Sequence, residues 1–286
     1  MTPATRKKIV QFAGFLSLRL AMALVLAVLV LFLTDIVKKG GGVISWEFLT
    51  AAPRRGMTEG GIFPAIVGTF AVTVITAVLA IPLGMAAAIY LNEYARQNAL
   101  TRLIRLSIRN LSGVPSIVYG LFGVILFVNT LKFGTSILSA GLTLGLMTLP
   151  WTITASEEAL KAIPNSYREG ALALGATKWQ MIRTNVLPYA VPGMLTGTVL
   201  GLARAAGATA PIMFTGAAFF LPYLPKSLSD QFMALPYHLY IMSTQHHAIL
   251  QVRPLAYGTA LVLIALVLGL NMAAVIFRYR LRRKYR

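Results

Sequence analysis

Residues 157–189, EEALKAIPNSYREGALALGATKWQMIRTNVLPY, decide how the chain is built. They separate two long apolar runs and are not a simple polar linker. Two helix-start signatures lie inside them, divided by a glycine. In Ser166-Tyr167-Arg168-Glu169 the hydroxyl can cap the Glu169 amide while the Glu169 side chain reaches back. Thr177-Lys178-Trp179-Gln180 repeats the arrangement one helix later. Gly175 suits the left-handed position between them. Ala171, Leu172, Leu174, Trp179, Ile182, Val186 and Leu187 give the hairpin more apolar surface than a loop requires, so a docking partner is expected.

On either side of the hairpin the chain is strongly apolar: 57% of its 286 residues are hydrophobic and 12% are charged. That composition excludes an ordinary soluble enzyme. A spanning helix needs about 20 mostly apolar residues. Six segments qualify: Phe15–Val37, a stretch within Gly60–Asn92, Leu111–Leu131, Thr135–Ser156, Ala190–Phe214 and Pro254–Phe277. Pro82, Pro150 and Pro211 are expected to bend or end helices. The expected fold class is therefore an all-α membrane protein with six transmembrane helices. It forms one multi-pass domain over residues 1–286, with a hairpin at 157–189 and an external segment at 215–253. Arg6, Lys7 and Lys8 precede the first run, with no small-residue cleavage site behind it, so that run reads as a retained span.

The net charge of +18 would suggest nucleic acid in a soluble protein. Seventeen of the 26 basic residues instead fall in the amino-terminal tail, residues 92–110, the hairpin and the carboxyl tail, and seven fall on the opposite side. The positive-inside rule then puts both termini in the cytoplasm and removes the nucleic-acid reading. Dividing Tyr189–Pro225 into two spans would export one basic terminus, which disfavours seven. Cysteine is absent, so there is no disulfide, thiolate ligand or cysteine nucleophile. His238, His246 and His247 have neither cysteine nor a clustered acid pair nearby, and no metal site is expected.

Arg204 and Arg19 are the basic residues within spans, and Arg19 is near enough to its span's start to snorkel. Arg204 lies about 14 residues, or roughly 20 Å, into the fifth span. Central placement of arginine costs about 2.5–3.5 kcal/mol, so it is expected to face a cavity or a counter-charge. The eight acids all lie at span ends or in loops. Its partner is then a carboxylate of another subunit, backbone carbonyls or a passing anion, whose oxygens a guanidinium fork matches. Thr209 either donates to the anion or serves packing; for Gly201, Ala205 and Gly207 packing is expected.

The order Glu169-Gly170-Ala171, Gly175 and Leu187-Pro188 resembles the EAA loop of ABC importer permeases. Gly170 replaces the middle alanine and Asn185 the usual isoleucine. Ser45-Trp46-Glu47-Phe48-Leu49, Gly60 to Ile66, Gly113 to Phe122, Glu157 to Gln180, Arg204 to Gly207 with Thr209-Ala210-Pro211, and Asp230 to His238 are similar to the phosphate importer permeases of the PstA subfamily. Together they cover most of the chain. The resemblance implies a type I ABC importer (MetI-like) permease fold in the bacterial cytoplasmic (inner) membrane. It also implies a PstC-like sister permease, PstB-like ATPase subunits, a PstS-like periplasmic phosphate-binding protein and surrounding membrane lipid. Glu169, Gly170, Ala171, Gly175, Leu187 and Pro188 would couple to the ATPase, and Arg204 and Thr209 would line the substrate path. The chain has no Walker-type phosphate loop, so it is expected to bind no cofactor and to be no enzyme, with ATP used by the partner. Many members of the subfamily carry glutamate where Ala208 stands, four residues from Arg204 and on the same face of a continuous helix. A mechanism using an intrachain Arg–Glu pair is therefore not carried over. The alternatives are a permease for sulfate, molybdate or a phosphonate, or a membrane signalling scaffold that transports nothing.

Overall fold

Apolar runs become helices because a bilayer offers backbone polar groups no partner other than each other. In the computed structural model, residues 3–284 are described; Arg286 of the terminal basic cluster lies outside the described residues. The chain opens with α1 (Pro3–Gly40) and a short surface passage containing α2 (Trp46–Thr50) and the two-residue strands β1 (Pro53–Arg54) and β2 (Glu59–Gly60). These strands pair antiparallel, Pro53 opposite Gly60. Next come α3 (Phe63–Ile89), which a π turn prolongs to Tyr94, and α4 (Ala99–Leu111). After α4 the chain forms α5 (Ser116–Gly123), carried to Thr130 by a second π turn, and α6 (Ile137–Lys161). The hairpin is α7 (Asn165–Ala173) and α8 (Lys178–Met181), and a third π turn joins α8 to α9 (Leu187–Ala206). The chain closes with α10 (Ala210–Thr215), α11 (Leu235–Thr244) and α12 (Ile249–Lys284).

Among the described residues five helices are long and apolar enough to cross a membrane, and α4 with α5 makes a sixth span if the pair, bent by 103°, counts as one. The segment Leu111–Leu131 is thus not one straight span. Gly113 and Pro115 stop α4, and the chain turns helical again at Ser116 as α5. Pro82 and Pro150 sit inside α3 and α6, whereas Pro211 opens α10 in a first turn, where its missing N–H is harmless. The segment 215–253 contains α11, and its last residues are helical, since α12 begins at Ile249 and includes Arg253.

α3, α6 and α9 form the centre, and small residues set how closely they approach. Gly193, Gly197 and Gly201 recur every fourth residue along one face of α9. A methyl on Gly193 would meet Ala159 Cβ at 2.9 Å, one on Gly201 would meet Thr148 Cγ2 at 3.0 Å, and one on Gly197 would overlap Ala155 Cβ. In an open helix Gly→Ala is stabilising by about 1 kcal/mol. Here Gly197→Ala is expected to destabilise by about 1–3 kcal/mol through overpacking. Adding Ala155→Gly should restore most of the loss. Thermal unfolding of the detergent-solubilised protein reads both, and a stabilised Gly197→Ala variant would contradict the packing. Buried hydroxyls on these helices bond to carbonyls one turn back, Thr69 to Ala65 at 2.7 Å, Thr143 to Ser139 at 2.7 Å and Thr148 to Leu144 at 2.7 Å. These hydroxyls are therefore satisfied without water, whereas Ser156 Oγ, buried on α6, finds no partner. α1 is peripheral and joins the bundle where Gly40 meets the Tyr257 backbone of α12, leaving no room for a side chain.

Candidate functional site

Arg204 does not sit in the middle of an unbroken fifth span. α9 ends at Ala206, Gly207 to Thr209 are non-helical, and α10 restarts the chain, so Arg204 occupies the last turn of α9. Gly207 favours termination, and Pro211 has no N–H to donate to the Gly207 carbonyl one turn back, which its ring would also meet in a continuous helix. The depth is nonetheless central. Side chains on a helix lean toward its amino terminus, and the guanidinium lies 5.2 Å from the ring centre of Trp151, the fifteenth of the 25 residues of α6. The negative end of the α9 dipole favours a cation at this place. Both Arg204 and Trp151 are exposed on the isolated chain, and no acid pairs with Arg204 among the described residues.

The break also changes the meaning of Ala208. Residues 204 and 208 share a face only on a continuous helix, and here the helix has ended between them. Ala208 packs against the buried cluster containing Tyr119, Ala205 and Ile212, while Arg204 points outward. Thr209 precedes α10 and is half-buried, with its carbonyl accepting from Met213 N–H at 3.1 Å. Gly201 and Ala205 are packing residues, whereas Gly207 is exposed at the break.

At the other end of α9, Gly175 adopts φ +80° between α7 and α8, the conformation that ends the first helix of the hairpin. Thr177 and Gln180 form the reciprocal capping box. Ser166 does not cap. Pro164 has already started α7, which places Ser166 inside its first turn. Ala171, Met181, Ile182 and Val186 are buried against the ends of α3 and α6. Glu169, Gly170 and Gly175 are exposed, as are Leu172, Trp179 and Leu174, the last 91% exposed. Leu187 and Pro188 begin α9, half-buried, just after the π turn Ile182–Val186. A wide turn accommodates a proline ring that would clash with an α-helical carbonyl. From Lys178 to Ala206 the helix is a single 29-residue rod.

Two ion pairs that span-counting missed fix this end of the bundle. Arg168 Nη2 donates to Glu93 Oε1 at 2.7 Å and to the Leu160 carbonyl at 3.0 Å, and its Nη1 donates to the Ile163 carbonyl at 2.8 Å. It thereby ties α7 to the last residues of both α3 and α6. Arg105 Nε donates to Glu157 Oε1 at 2.8 Å, and its other nitrogens reach Gln97 and the Leu91 carbonyl, tying α4 to α6 and α3. The Glu93 side chain is 4% exposed and that of Arg168 15%. The partners are 75 and 52 positions apart, so only the hydrophobic pattern that brings these helix ends together could have hinted at them.

At the opposite end, Asp230 accepts from the Lys226 and Ser227 amides and the Ser227 hydroxyl, which holds its carboxyl below the usual range. His238 is enclosed in the fold, and burial, with a smaller effect from His246, pushes its pKa down to about 4. It is therefore neutral at ordinary pH.

The family described as binding-protein-dependent transport system inner membrane component matches residues 80–286. A probable ABC transporter permease protein of Bacillus subtilis, YqgI, is 32% identical, over 89% of this chain and 90% of that one. The phosphate transport system permease protein PstA of Mycobacterium leprae is 34% identical, over 90% and 84%, and the probable PstA of Methanocaldococcus jannaschii is 32% identical, over 94% and 95%. Among solved structures, a subunit of a bacterial ABC transporter that imports the polysaccharide alginate superposes with a TM-score of 0.67 at 15% identity, covering 91% of this chain and 95% of that one. One from the MetNI methionine ABC transporter gives 0.56 at 19% identity, covering 77% and 94%. The fold is that of the type I ABC importer permeases. By the span matched and by relatives aligned over nearly their whole length, this multi-pass membrane protein belongs to the family of binding-protein-dependent transport system inner membrane components.

Proposed function

We propose that the chain is the permease subunit of an ATP-driven phosphate importer, supplying half of the anion pathway. The observation that carries this reading is Arg204, at mid-depth on an open face beside Trp151 with no acidic partner among the described residues. The fixed cation attracts an anion, and its planar fork suits tetrahedral oxyanions. Relatives named for phosphate transport, aligned over 84–95% of their length, favour phosphate among such anions. Thr209, beyond the break, is within the same stretch and would add a hydroxyl donor. Because a transport path must release its anion, the site is read as a waypoint and not as a tight store.

In this reading the hairpin faces the cytoplasm, with both termini on that side, and a PstB-like ATPase docks on its exposed apolar face around Leu172, Leu174 and Trp179. Glu169, Gly170, Ala171, Gly175, Leu187 and Pro188 shape that surface and its junction with α9. ATP is hydrolysed by the ATPase, and this chain contributes no catalytic residue and holds no cofactor. A PstC-like sister permease completes the path and a PstS-like periplasmic protein delivers phosphate. Movement of the hairpin is carried along the 29-residue rod to Arg204. Such alternation shifts populations by differential contacts in the two states.

Reconstitution with the sister permease, ATPase and binding protein tests the proposal. ATP-dependent uptake of labelled phosphate is expected, with sulfate, molybdate and a phosphonate competing weakly. Preferential uptake of one of those oxyanions would reassign the substrate, and ATP-independent docking without uptake would indicate a scaffold.

A further inference from the structure

α4 lies in the stretch 92–110 that span-counting treats as a loop, yet it is a 13-residue helix set at 103° to the helix that follows it. One edge belongs to the fold. Thr101 is buried, Ile108 packs against the bundle, and Arg105 is held by Glu157, Gln97 and the Leu91 carbonyl. The rest faces outward. Leu100 and Leu103 are 63% and 58% exposed, and Ile104, Leu106 and Leu111 are exposed beside them. Arg102 and Arg109, seven residues apart and so on one side of the helix, are also exposed. α4 contains no acid, and the nearby acids Glu93 and Glu157 are taken by Arg168 and Arg105. Below its carboxyl end, α4, α5 and α6 leave an apolar groove of about 490 Å³ lined by Ile108, Leu111, Val118, Phe122, Leu149 and Ile153.

We infer that α4 is an interfacial anchor that binds anionic phospholipid in the leaflet on the hairpin side, with phosphate groups at Arg102 and Arg109 and an acyl chain in the groove. A helix nearly perpendicular to its neighbouring span lies along the membrane plane. A basic face beside an apolar one is the pattern that settles at the headgroup boundary. Arginines there with no acidic partner among the described residues are complementary to anionic headgroups, and the groove adds an apolar slot beside that charge. A free inorganic anion would use the charge and leave the groove and the exposed leucines uncovered. Lipid covers all three, and this holds whichever solute the protein carries.

The test uses the assembled transporter in phosphatidylcholine nanodiscs with and without phosphatidylglycerol. Spin-labelled phosphatidylglycerol is expected to be motionally restricted in excess over spin-labelled phosphatidylcholine, the more so at low salt. Arg102→Gln with Arg109→Gln should reduce its apparent association about fivefold for each arginine, while Arg102→Lys with Arg109→Lys keeps most of it. Equal restriction of the two lipids, or an excess unchanged by the glutamine variant, overturns the inference. A second measurement does not need the arginine variants to fold. The chain has no cysteine, so Leu103→Cys offers this subunit a single labelling position. A nitroxide there should be more accessible to oxygen than to a water-soluble nickel chelate. Open access to nickel, or shielding from both reagents as beneath a protein partner, overturns the inference too.

Discussion

Arg204→Gln is expected to cut phosphate uptake by the assembled transporter about 100-fold, because each charge-assisted hydrogen bond lost is worth about 1.5–3 kcal/mol and about 1.4 kcal/mol is tenfold in rate. Folding should not suffer. The contact recorded for the guanidinium is the face of Trp151, 5.2 Å away, and no buried carboxylate is orphaned by its removal. A neutral residue also removes an insertion penalty of about 2.5–3.5 kcal/mol. Membrane yield and recovery of the complex should therefore match the wild type. Arg204→Lys keeps the charge but loses the planar fork, so its uptake is expected to fall between the two. Normal uptake by a well-assembled Arg204→Gln complex would remove Arg204 from the anion path. Failure of that complex to assemble would instead assign the arginine to holding the sister permease.

The second large effect is expected at the hairpin. Arg168→Met leaves Glu93, 4% exposed, without its cation and takes one donor from each of the carbonyls of Leu160 and Ile163 at and just beyond the end of α6. Removing one partner of a buried pair is destabilising by about 3–5 kcal/mol, which for a chain of this size lowers the melting temperature by about 10 °C. Glu93→Gln added to Arg168→Met should recover at least half of that loss, since the uncompensated charge is then gone. The same pair holds α7 to the ends of α3 and α6, so the double variant is expected to hydrolyse ATP in the complex with less uptake per ATP. Thermal melts and the ratio of uptake to hydrolysis separate these two consequences. If Arg168→Met melts with the wild type, the pair is ornamental. If the recovered double variant couples normally, it does not transmit.

The hairpin was readable from sequence because its signals are local. Gly175 needs only its own backbone angle, and the Thr177–Gln180 box closes within four residues. Ser166 shows the limit of local reading: an equally good signature was displaced because Pro164 initiates the helix first. The long apolar runs appear as helices for the reason composition implies, the bilayer's demand for internal hydrogen bonding. α4 escaped because a search for uncharged runs discards any helix that carries arginine on one face, which is what an interfacial helix does. The end of α9 escaped because hydropathy continues through Gly207 and Pro211 without a polar interruption, although the backbone does not. Arg204 was identifiable as unusual by its charge and depth, while its neighbour Trp151 comes from another helix, 53 positions earlier in the chain.

The π turn at Ile182–Val186 gives the rod an angular setting. An α-helix advances about 100° per residue, so one more residue in regular helix would turn the hairpin by that angle about the axis of α9; the wide turn absorbs the residue and keeps the hairpin's setting relative to Arg204. Deleting one residue there would let the segment close into regular helix with Leu174 and Trp179 aimed nearly as before, whereas deleting one from the regular part of α9 would swing them by about 100° relative to Arg204. The direction in which the hairpin presents itself is therefore a matter of phase, fixed by the number of residues in regular helix between its apolar face and the break at Gly207. Two chains with identical docking residues and identical anion-facing residues, but differing by one residue in the regular part of α9, would present the hairpin in different directions.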